Sequence, residues 1–160
     1  MSPRYFDSHC HLDASAFDDD AGVDAAITRA RAAGVHRMMC IGSGYGLQSA
    51  SRAIVTAARH PDVWASVGVH PHDAHEWTEE TSGILRTMSR NPDVAALGEM
   101  GLDFYYDNSP RGVQRAVLVA QSALALELAL PIIVHDRDSD GECLRMLAVA
   151  GAFDGPGVVW

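Results

Sequence analysis

The sequence contains no lysine, and all twelve of its basic residues are arginines. This absence excludes a lysine nucleophile, a lysine Schiff base, a phosphate-loop lysine and a lysine-derived bridge between metal ions within these residues. Cysteine is also scarce, because Cys10, Cys40 and Cys143 are the only three and lie far apart. An odd number of widely spaced cysteines is not a disulfide framework and is typical of a reducing compartment.

Long apolar runs and an excess of positive charge are absent as well. No apolar run approaches the length that crosses a bilayer, and the amino terminus meets Arg4 and then acidic residues from Asp7 onward, unlike a signal peptide. We therefore expect a cytoplasmic protein with no membrane partner. The formal net charge of −9 argues against a broad basic surface, so a nucleic acid partner would be a substrate held locally.

The chain has an ordinary globular composition, 48% apolar and 21% charged, in which short apolar runs alternate with segments of helical period. This alternation predicts an α/β fold with a parallel sheet. No linker or composition break divides the chain, so we expect one domain over residues 1–160. The six predicted strands are residues 4–9, 35–42, 63–70, 93–101, 130–136 and 157–160, and the five predicted helices are residues 21–33, 46–59, 78–90, 111–129 and 140–150.

The first strand carries the stretch DSHCHLD, in which one residue separates His9 from His11 and Asp7 and Asp13 flank the pair. Alternate side chains of an extended segment share a face, so the two imidazoles would converge while Cys10 points the other way. Two imidazoles buried together without a partner would cost desolvation energy. The pattern therefore favours a metal site, with Cys10 as a small core residue.

Further ligand-type residues fall at the ends of other predicted strands. His70 ends the third strand, Glu99 lies near the end of the fourth and His135 follows the apolar run of the fifth. Because the carboxyl ends of parallel strands open on one face, we expect these side chains to meet there. The predicted metal ligands are His9, His11, Glu99 and His135. Imidazole and carboxylate ligands suit zinc or manganese, and a carboxylate-bridged pair of ions also admits magnesium.

Four other residues are candidates for binding the substrate. The HPH stretch, with His70 and His72, is a rival for the metal, but Pro71 tends to end the strand, so we favour a loop that meets substrate. Asp103 lies just beyond Glu99 and could be a site residue or a turn residue. Arg137, two residues past His135, is placed to contact phosphate, with a surface salt bridge as the alternative.

Five motifs together carry a resemblance to a known family. In their order and spacing they resemble the TatD family of metal-dependent deoxyribonucleases, within the amidohydrolase superfamily; they are FDSHCHLD, VGVHPH, LGEMGLDFYYD, QRAVLVAQSALALELALP and IVHDRD. The resemblance implies a (β/α)8 TIM barrel with one or two divalent metal ions at its carboxyl-terminal face and hydrolysis of phosphodiester bonds in DNA. It also implies that His9 and His11 hold one metal, that Glu99 bridges and that His135 binds the second.

The chain departs from that family pattern at its carboxyl end. A barrel of this class takes about 250 residues, whereas only six strands and five helices are predicted here, so we expect a truncated barrel that is incomplete at its carboxyl terminus. The family pattern continues with a histidine after strand six and an aspartate near strand eight that orients the attacking water. Since neither is in this chain, no catalytic residue is assigned. We expect residues 1–160 alone to have little nuclease activity and to self-associate through open sheet edges.

Two alternatives to the nuclease remain open from the sequence. The same ligands would serve another amidohydrolase that acts on an ester, a lactone or a cyclic amide, and the chain could also be an inactive barrel fragment. Glu99 in the bridging position, together with the absence of lysine, weighs against the superfamily branch that uses a carboxylated lysine and favours the nuclease.

Overall fold

The computed structural model describes residues 4–12, 17 and 19–160, so Asp13 of the DSHCHLD stretch lies outside the described residues. Six strands lie within the described part of the chain: β1 (Tyr5–Cys10), β2 (Val35–Gly42), β3 (Val63–Val67), β4 (Val94–Asp103), β5 (Ile132–Arg137) and β6 (Val158–Val159). The α-helices between them are α1 (Asp20–Ala32), α2 (Leu47–Arg59), α3 (Glu79–Met88), α4 (Arg111–Glu127) and α5 (Glu142–Val149). Short 3₁₀ helices span Pro71–Glu76 and Ala152–Asp154.

The strands form one sheet in the order β1-β2-β3-β4-β5-β6, and every neighbouring pair is parallel. Sequential parallel strands joined by helices are the arrangement of a TIM-type α/β barrel, so the predicted fold class is confirmed. The main core lies between the sheet and its helices, and a second small cluster covers the other face of the sheet with Met39, Ile41, Ala96 and Ile133. None of the described helices is long and apolar enough to span a membrane.

The third strand is shorter than predicted, because it ends at Val67 rather than at His70. Pro71 begins a 3₁₀ helix, and the fixed φ of proline suits the first position of such a turn. His70 is therefore the residue before that helix, and its ring nitrogen accepts a hydrogen bond from the backbone amide of His72. The HPH stretch is thus held in one conformation at the end of the sheet.

Two glycines bring the fourth strand close to the fifth. A Cβ atom at Gly98 would lie 2.3 Å from the carbonyl oxygen of Ile133, and one at Gly101 would lie 1.7 Å from that of His135. Both glycines also have positive φ angles, +133° and +158°, which other residues rarely adopt. Only glycine fits at both positions, and the close approach places Glu99, which lies between them, beside His135.

Candidate metal centre

Glu99 is the centre of the site. It lies on β4, is buried with 6% of its surface exposed, and faces histidines from two other strands. Its Oε2 atom lies 3.6 Å from Nε2 of His9 and 4.0 Å from Nε2 of His11, and its Oε1 atom lies 2.9 Å from Nδ1 of His135. The structure therefore brings together the four residues that the sequence singles out as metal ligands, with one carboxylate oxygen turned to β1 and the other to β5.

Two groups of donor atoms around Glu99 have the dimensions of a metal site. His9, His11 and Glu99 form the first, and His70, Glu99 and His135 form the second, with the ligand atoms of each group within 4.8 Å of one another. A shared carboxylate between two sets of imidazoles is the donor chemistry that zinc and manganese accept. His9, His11 and Glu99 thus fit one divalent ion, and Glu99 and His135 offer two donor atoms to a second ion.

The charges of these groups favour a cation. Burial acts to raise the pKa of Glu99, but the nearby His135 and His9 outweigh burial and hold that pKa well below its ordinary value. The nearby Glu99 raises the pKa of His9, and Glu99 and Asp103 raise the pKa of His135 despite its burial. Glu99 is therefore ionised. Its negative charge favours a positive charge among the surrounding histidines, carried either by a proton or by a metal ion.

His70 has a different chemical role from the other histidines. Burial, and then the nearby His135, lower its pKa to about 3, so its ring is neutral at physiological pH. Its Nδ1 atom accepts a hydrogen bond from the amide of His72 at 3.1 Å, which leaves the ring proton on Nε2. That proton faces Nδ1 of His135, 3.1 Å away, so Nδ1 of His135 is the acceptor of this pair and the proton of His135 lies on Nε2, toward Asp103. A neutral ring with its proton on Nε2 cannot ligate a metal through that atom, so the geometry favours His70 as a hydrogen-bond donor into the cleft.

Asp103 connects the metal centre to the loop that follows β4. The residue is fully buried, and its Oδ2 atom accepts hydrogen bonds from Nε2 of His72 at 2.8 Å and Nε2 of His135 at 3.1 Å. Its Oδ1 atom accepts from the amides of Tyr105 and Tyr106 at 3.1 and 2.9 Å. Burial tends to raise the pKa of Asp103, but the tyrosine amide and the histidines lower it below the ordinary value. A carboxylate behind a metal-site histidine fixes the tautomer and the ring orientation of that histidine.

Two buried glutamines of α4, neither of them predicted as a site residue from the sequence, support this arrangement. Gln121 accepts from the amide of Val69 at 2.8 Å and donates to the carbonyl of the same residue at 2.9 Å. Gln114 pairs in the same way with the amide and carbonyl of Asp103, at 2.8 and 3.1 Å. The two glutamines are seven residues apart on the buried face of α4, whose other buried residues are apolar except for Ser122. This spacing of two polar residues on the core-facing side of a helix is the sequence feature from which their supporting role could have been predicted.

The site opens into a cleft of about 430 Å³. Its lining contains every predicted site residue except His9, together with four residues that the sequence analysis left unassigned: Ser43, Gly44, Tyr45 and Tyr106. Of these, Ser43 is hydrogen-bonded to the backbone of the metal centre, since its Oγ atom accepts from the backbone amide of Glu99 at 3.2 Å.

Arg137, at the end of β5, also lines the cleft, and its surroundings bear on the two roles that the sequence left open. Its guanidinium carbon lies 4.6 Å from the ring centre of Tyr105 and 4.8 Å from that of Tyr106. Among the described residues it forms no salt bridge, whereas five other arginines do. Within the described residues, the structure therefore does not show the surface salt bridge that the sequence left open as the alternative role of Arg137.

Comparisons with known proteins agree with the motifs. A family model described as "TatD related DNase" matches residues 6–159. The chain is 37% identical over 147 residues to a Bacillus subtilis protein named "Uncharacterized metal-dependent hydrolase YabD", covering 92% of this chain and 56% of that protein. It is 40% identical over 142 residues to the "3'-5' ssDNA/RNA exonuclease TatD" of Cronobacter turicensis, covering 89% of this chain and 52% of that protein.

Solved structures give the same result for the fold. The crystal structure of YJJV, a TatD homologue from Escherichia coli, superposes with a TM-score of 0.82 at 27% identity and covers 93% of this chain and 57% of that one. A hydrolase of the TatD family from Entamoeba histolytica has the same fold, with a TM-score of 0.83 at 21% identity over 99% of this chain and 58% of that one. The chain thus spans about half the length of the curated relatives that it matches.

Proposed function

The chain belongs to the TatD-related DNase family, and we propose that the protein carrying it is a divalent-metal-dependent nuclease that hydrolyses phosphodiester bonds in DNA. The observation that carries the proposal is the buried, ionised Glu99, which holds its two oxygens toward histidines from β1 and β5. A carboxylate in this position joins two sets of metal ligands in one cleft. Metal pairs of this kind act on phosphodiesters in many nucleases.

In this proposal His9 and His11 hold one metal ion, Glu99 bridges and His135 binds a second. When bound, such ions supply Lewis-acid polarisation of a phosphoryl oxygen and a nucleophilic water at neutral pH. Zinc and manganese match the imidazole ligands best, and magnesium is compatible with the shared carboxylate.

The remaining cleft residues hold the substrate. His70 offers its Nε2 proton to a phosphate oxygen, and His72 lies beside it with its ring oriented by Asp103. Arg137 carries a guanidinium without a carboxylate partner among the described residues, so its donors are available to a phosphate. Asp103, which the sequence places among the substrate-binding candidates, acts in this proposal through the histidines and tyrosines that it orients.

The names of the curated relatives extend the proposal to the kind of nucleic acid. Several of them are named 3'-5' ssDNA/RNA exonucleases, and we propose that this protein also degrades single strands from the 3' end. We further propose that it works in the cytoplasm, because its three widely spaced cysteines are typical of a reducing compartment.

Metal content and nuclease activity test the proposal together. The full-length protein that carries this chain is dialysed against zinc, manganese or magnesium, its bound metal is measured by mass spectrometry, and cleavage of a labelled single-stranded DNA is followed. We expect Glu99→Gln to lose bound metal and activity, whereas His36→Ala, an exposed histidine at the start of β2, should keep both. Full activity in Glu99→Gln, or a wild-type protein that binds none of the three metals, would refute the proposal.

A further inference from the structure

Two consecutive tyrosines lie exposed at the mouth of the cleft. Tyr105 is 60% exposed and Tyr106 is 53% exposed, so neither ring is a core residue. Their rings meet edge to face, with centroids 4.7 Å apart and planes at 88°, and the Tyr106 ring meets the His72 ring in the same manner at 5.6 Å. The tyrosine pair therefore extends the wall of the metal centre outward with aromatic surface.

Arg137 completes this surface. Its guanidinium lies within 5 Å of both ring centres, a distance at which cation and ring attract each other. The contact holds the long side chain in place while leaving its N–H donors without a carboxylate acceptor among the described residues. In a chain with 21 acidic and 12 basic residues, an arginine without such a partner beside a cleft is available for an anionic ligand.

The aromatic surface has a fixed position relative to the metal centre. The amides of Tyr105 and Tyr106 donate to one oxygen of Asp103, and the other oxygen of that carboxylate accepts from His72 and His135. Asp103 itself is anchored to α4 by the side-chain amide of Gln114. A ligand that lies on the tyrosines is therefore held at a set distance from Glu99 and His135.

We propose that Tyr105, Tyr106 and Arg137 form a stacking platform for one nucleobase of a single-stranded substrate, with Arg137 contacting the adjacent phosphate. This inference rests on the proposed function, since it names the part of the substrate that the cleft recognises. Every nucleobase has a π face that stacks on tyrosine without regard to sequence. A base within a duplex is already stacked and paired, so the platform favours unpaired strands.

Binding of a single-stranded DNA is the direct test. The probe is an oligothymidylate with a 5' fluorescent label, and its affinity is measured by anisotropy without added metal, so that the proposed nuclease activity does not remove its 3' end. Each of the last three nucleotides at the 3' end is replaced in turn by an abasic residue. We expect the loss of one particular base to weaken binding about 5- to 150-fold, the range for one base stacked on an aromatic side chain.

Variants of the platform show whether the tyrosines are responsible. The double variant Tyr105→Ala, Tyr106→Ala keeps the backbone amides that bind Asp103, and we expect it to bind the complete strand as weakly as the wild type binds the abasic strand. Tyr105→Phe with Tyr106→Phe keeps both rings and should retain the discrimination. Tyr5→Ala removes a comparably exposed tyrosine, 55% exposed at the start of β1, and should behave as wild type.

The outcomes separate this inference from the proposed function. Equal binding of complete and abasic strands by the wild type would overturn the inference, and so would discrimination that survives in the alanine double variant. Strand binding by the full-length protein without any cleavage in zinc, manganese or magnesium would refute the proposed function but leave the base discrimination measurable. Failure to bind single strands at all would overturn both.

Discussion

The two buried glutamines of α4 give the sharpest test of how the site is held together. Gln121 makes both of its hydrogen bonds to the backbone of Val69, the residue before His70, and it is fully buried. Leucine has a similar volume but no polar atom, so Gln121→Leu leaves a buried amide and a buried carbonyl without partners. We expect this variant to be destabilised and to lose the fixed position of His70.

The magnitude follows from the number of bonds that are lost. An unsatisfied buried donor or acceptor costs about 1 to 3 kcal/mol, so two of them cost about 2 to 6 kcal/mol. Burial of the leucine side chain in place of the amide returns about 1 to 2 kcal/mol. We therefore expect the free energy of unfolding to fall by about 2.5 kcal/mol, within bounds of about 0 and 5 kcal/mol. Gln114→Leu removes the same pair of bonds to Asp103 and a third bond to the carbonyl of Ser109, so its free energy of unfolding should fall further.

Urea unfolding measures the change, and hydrogen exchange locates it. The amide protons of Val69 and Asp103 should exchange faster in Gln121→Leu and Gln114→Leu respectively. The matched control is Gln48→Leu, because Gln48 is the remaining glutamine of the chain and its side chain is exposed on α2. If Gln121→Leu unfolds at the same urea concentration as Gln48→Leu and protects the Val69 amide as well as wild type does, the glutamines do not hold the strand ends and the reasoning is wrong.

Three further predictions concern the metal centre and the sheet edges. His9→Ala should lose bound metal, whereas His72→Ala should keep its metal and raise KM or lower kcat; metal loss from His72→Ala would show that His72 is a ligand. Asp103→Asn keeps the size of the side chain but replaces one acceptor oxygen with a donor, so metal affinity should fall about 10- to 100-fold, and an unchanged affinity would contradict the orienting role. A polypeptide of residues 1–160 should self-associate in light scattering, because Tyr5 and Phe6 of β1 are exposed at one edge of the sheet and Trp160 at the other; a monodisperse monomer would contradict this.

The strands and the set of converging side chains were predictable from the sequence because each depends on a short-range pattern. His9 and His11 are one residue apart, and His135 directly follows an apolar run, so local periodicity places them at strand ends. The rule that parallel strands end on one face then brings Glu99 to them without further information. Helix boundaries were less predictable: α5 begins at Glu142 rather than at residue 140, because Asp140 and Gly141 have positive φ angles.

The supporting contacts were not predictable, because their partners are distant in sequence or belong to the backbone. Gln121 binds a residue 52 positions away, and nothing in its neighbourhood indicates that Val69 needs a partner. The tautomer of His70 depends on an amide that faces its Nδ1 atom, which only the 3₁₀ helix after Pro71 provides. Asp103 has ordinary neighbours in the sequence, and its role follows from the two histidines that its buried carboxylate reaches.

The charge of the chain constrains how such a site holds a polyanion. A net charge of −9 with no lysine leaves few cations to neutralise phosphates along a strand, so the affinity has to come from the cleft itself. Among the described cleft residues, Arg137 is the one permanent cation.

The logarithm of the affinity for a single strand falls with the logarithm of salt concentration by about 0.7 for each phosphate contact. One or two phosphate contacts therefore predict a slope of log affinity against log salt concentration between about −0.7 and −1.4. A protein that makes six phosphate contacts would have a slope of about −4. Arg137→Gln should make the slope less steep by about 0.7, and a steep slope that this variant leaves unchanged would mean that the strand lies on a surface other than this cleft.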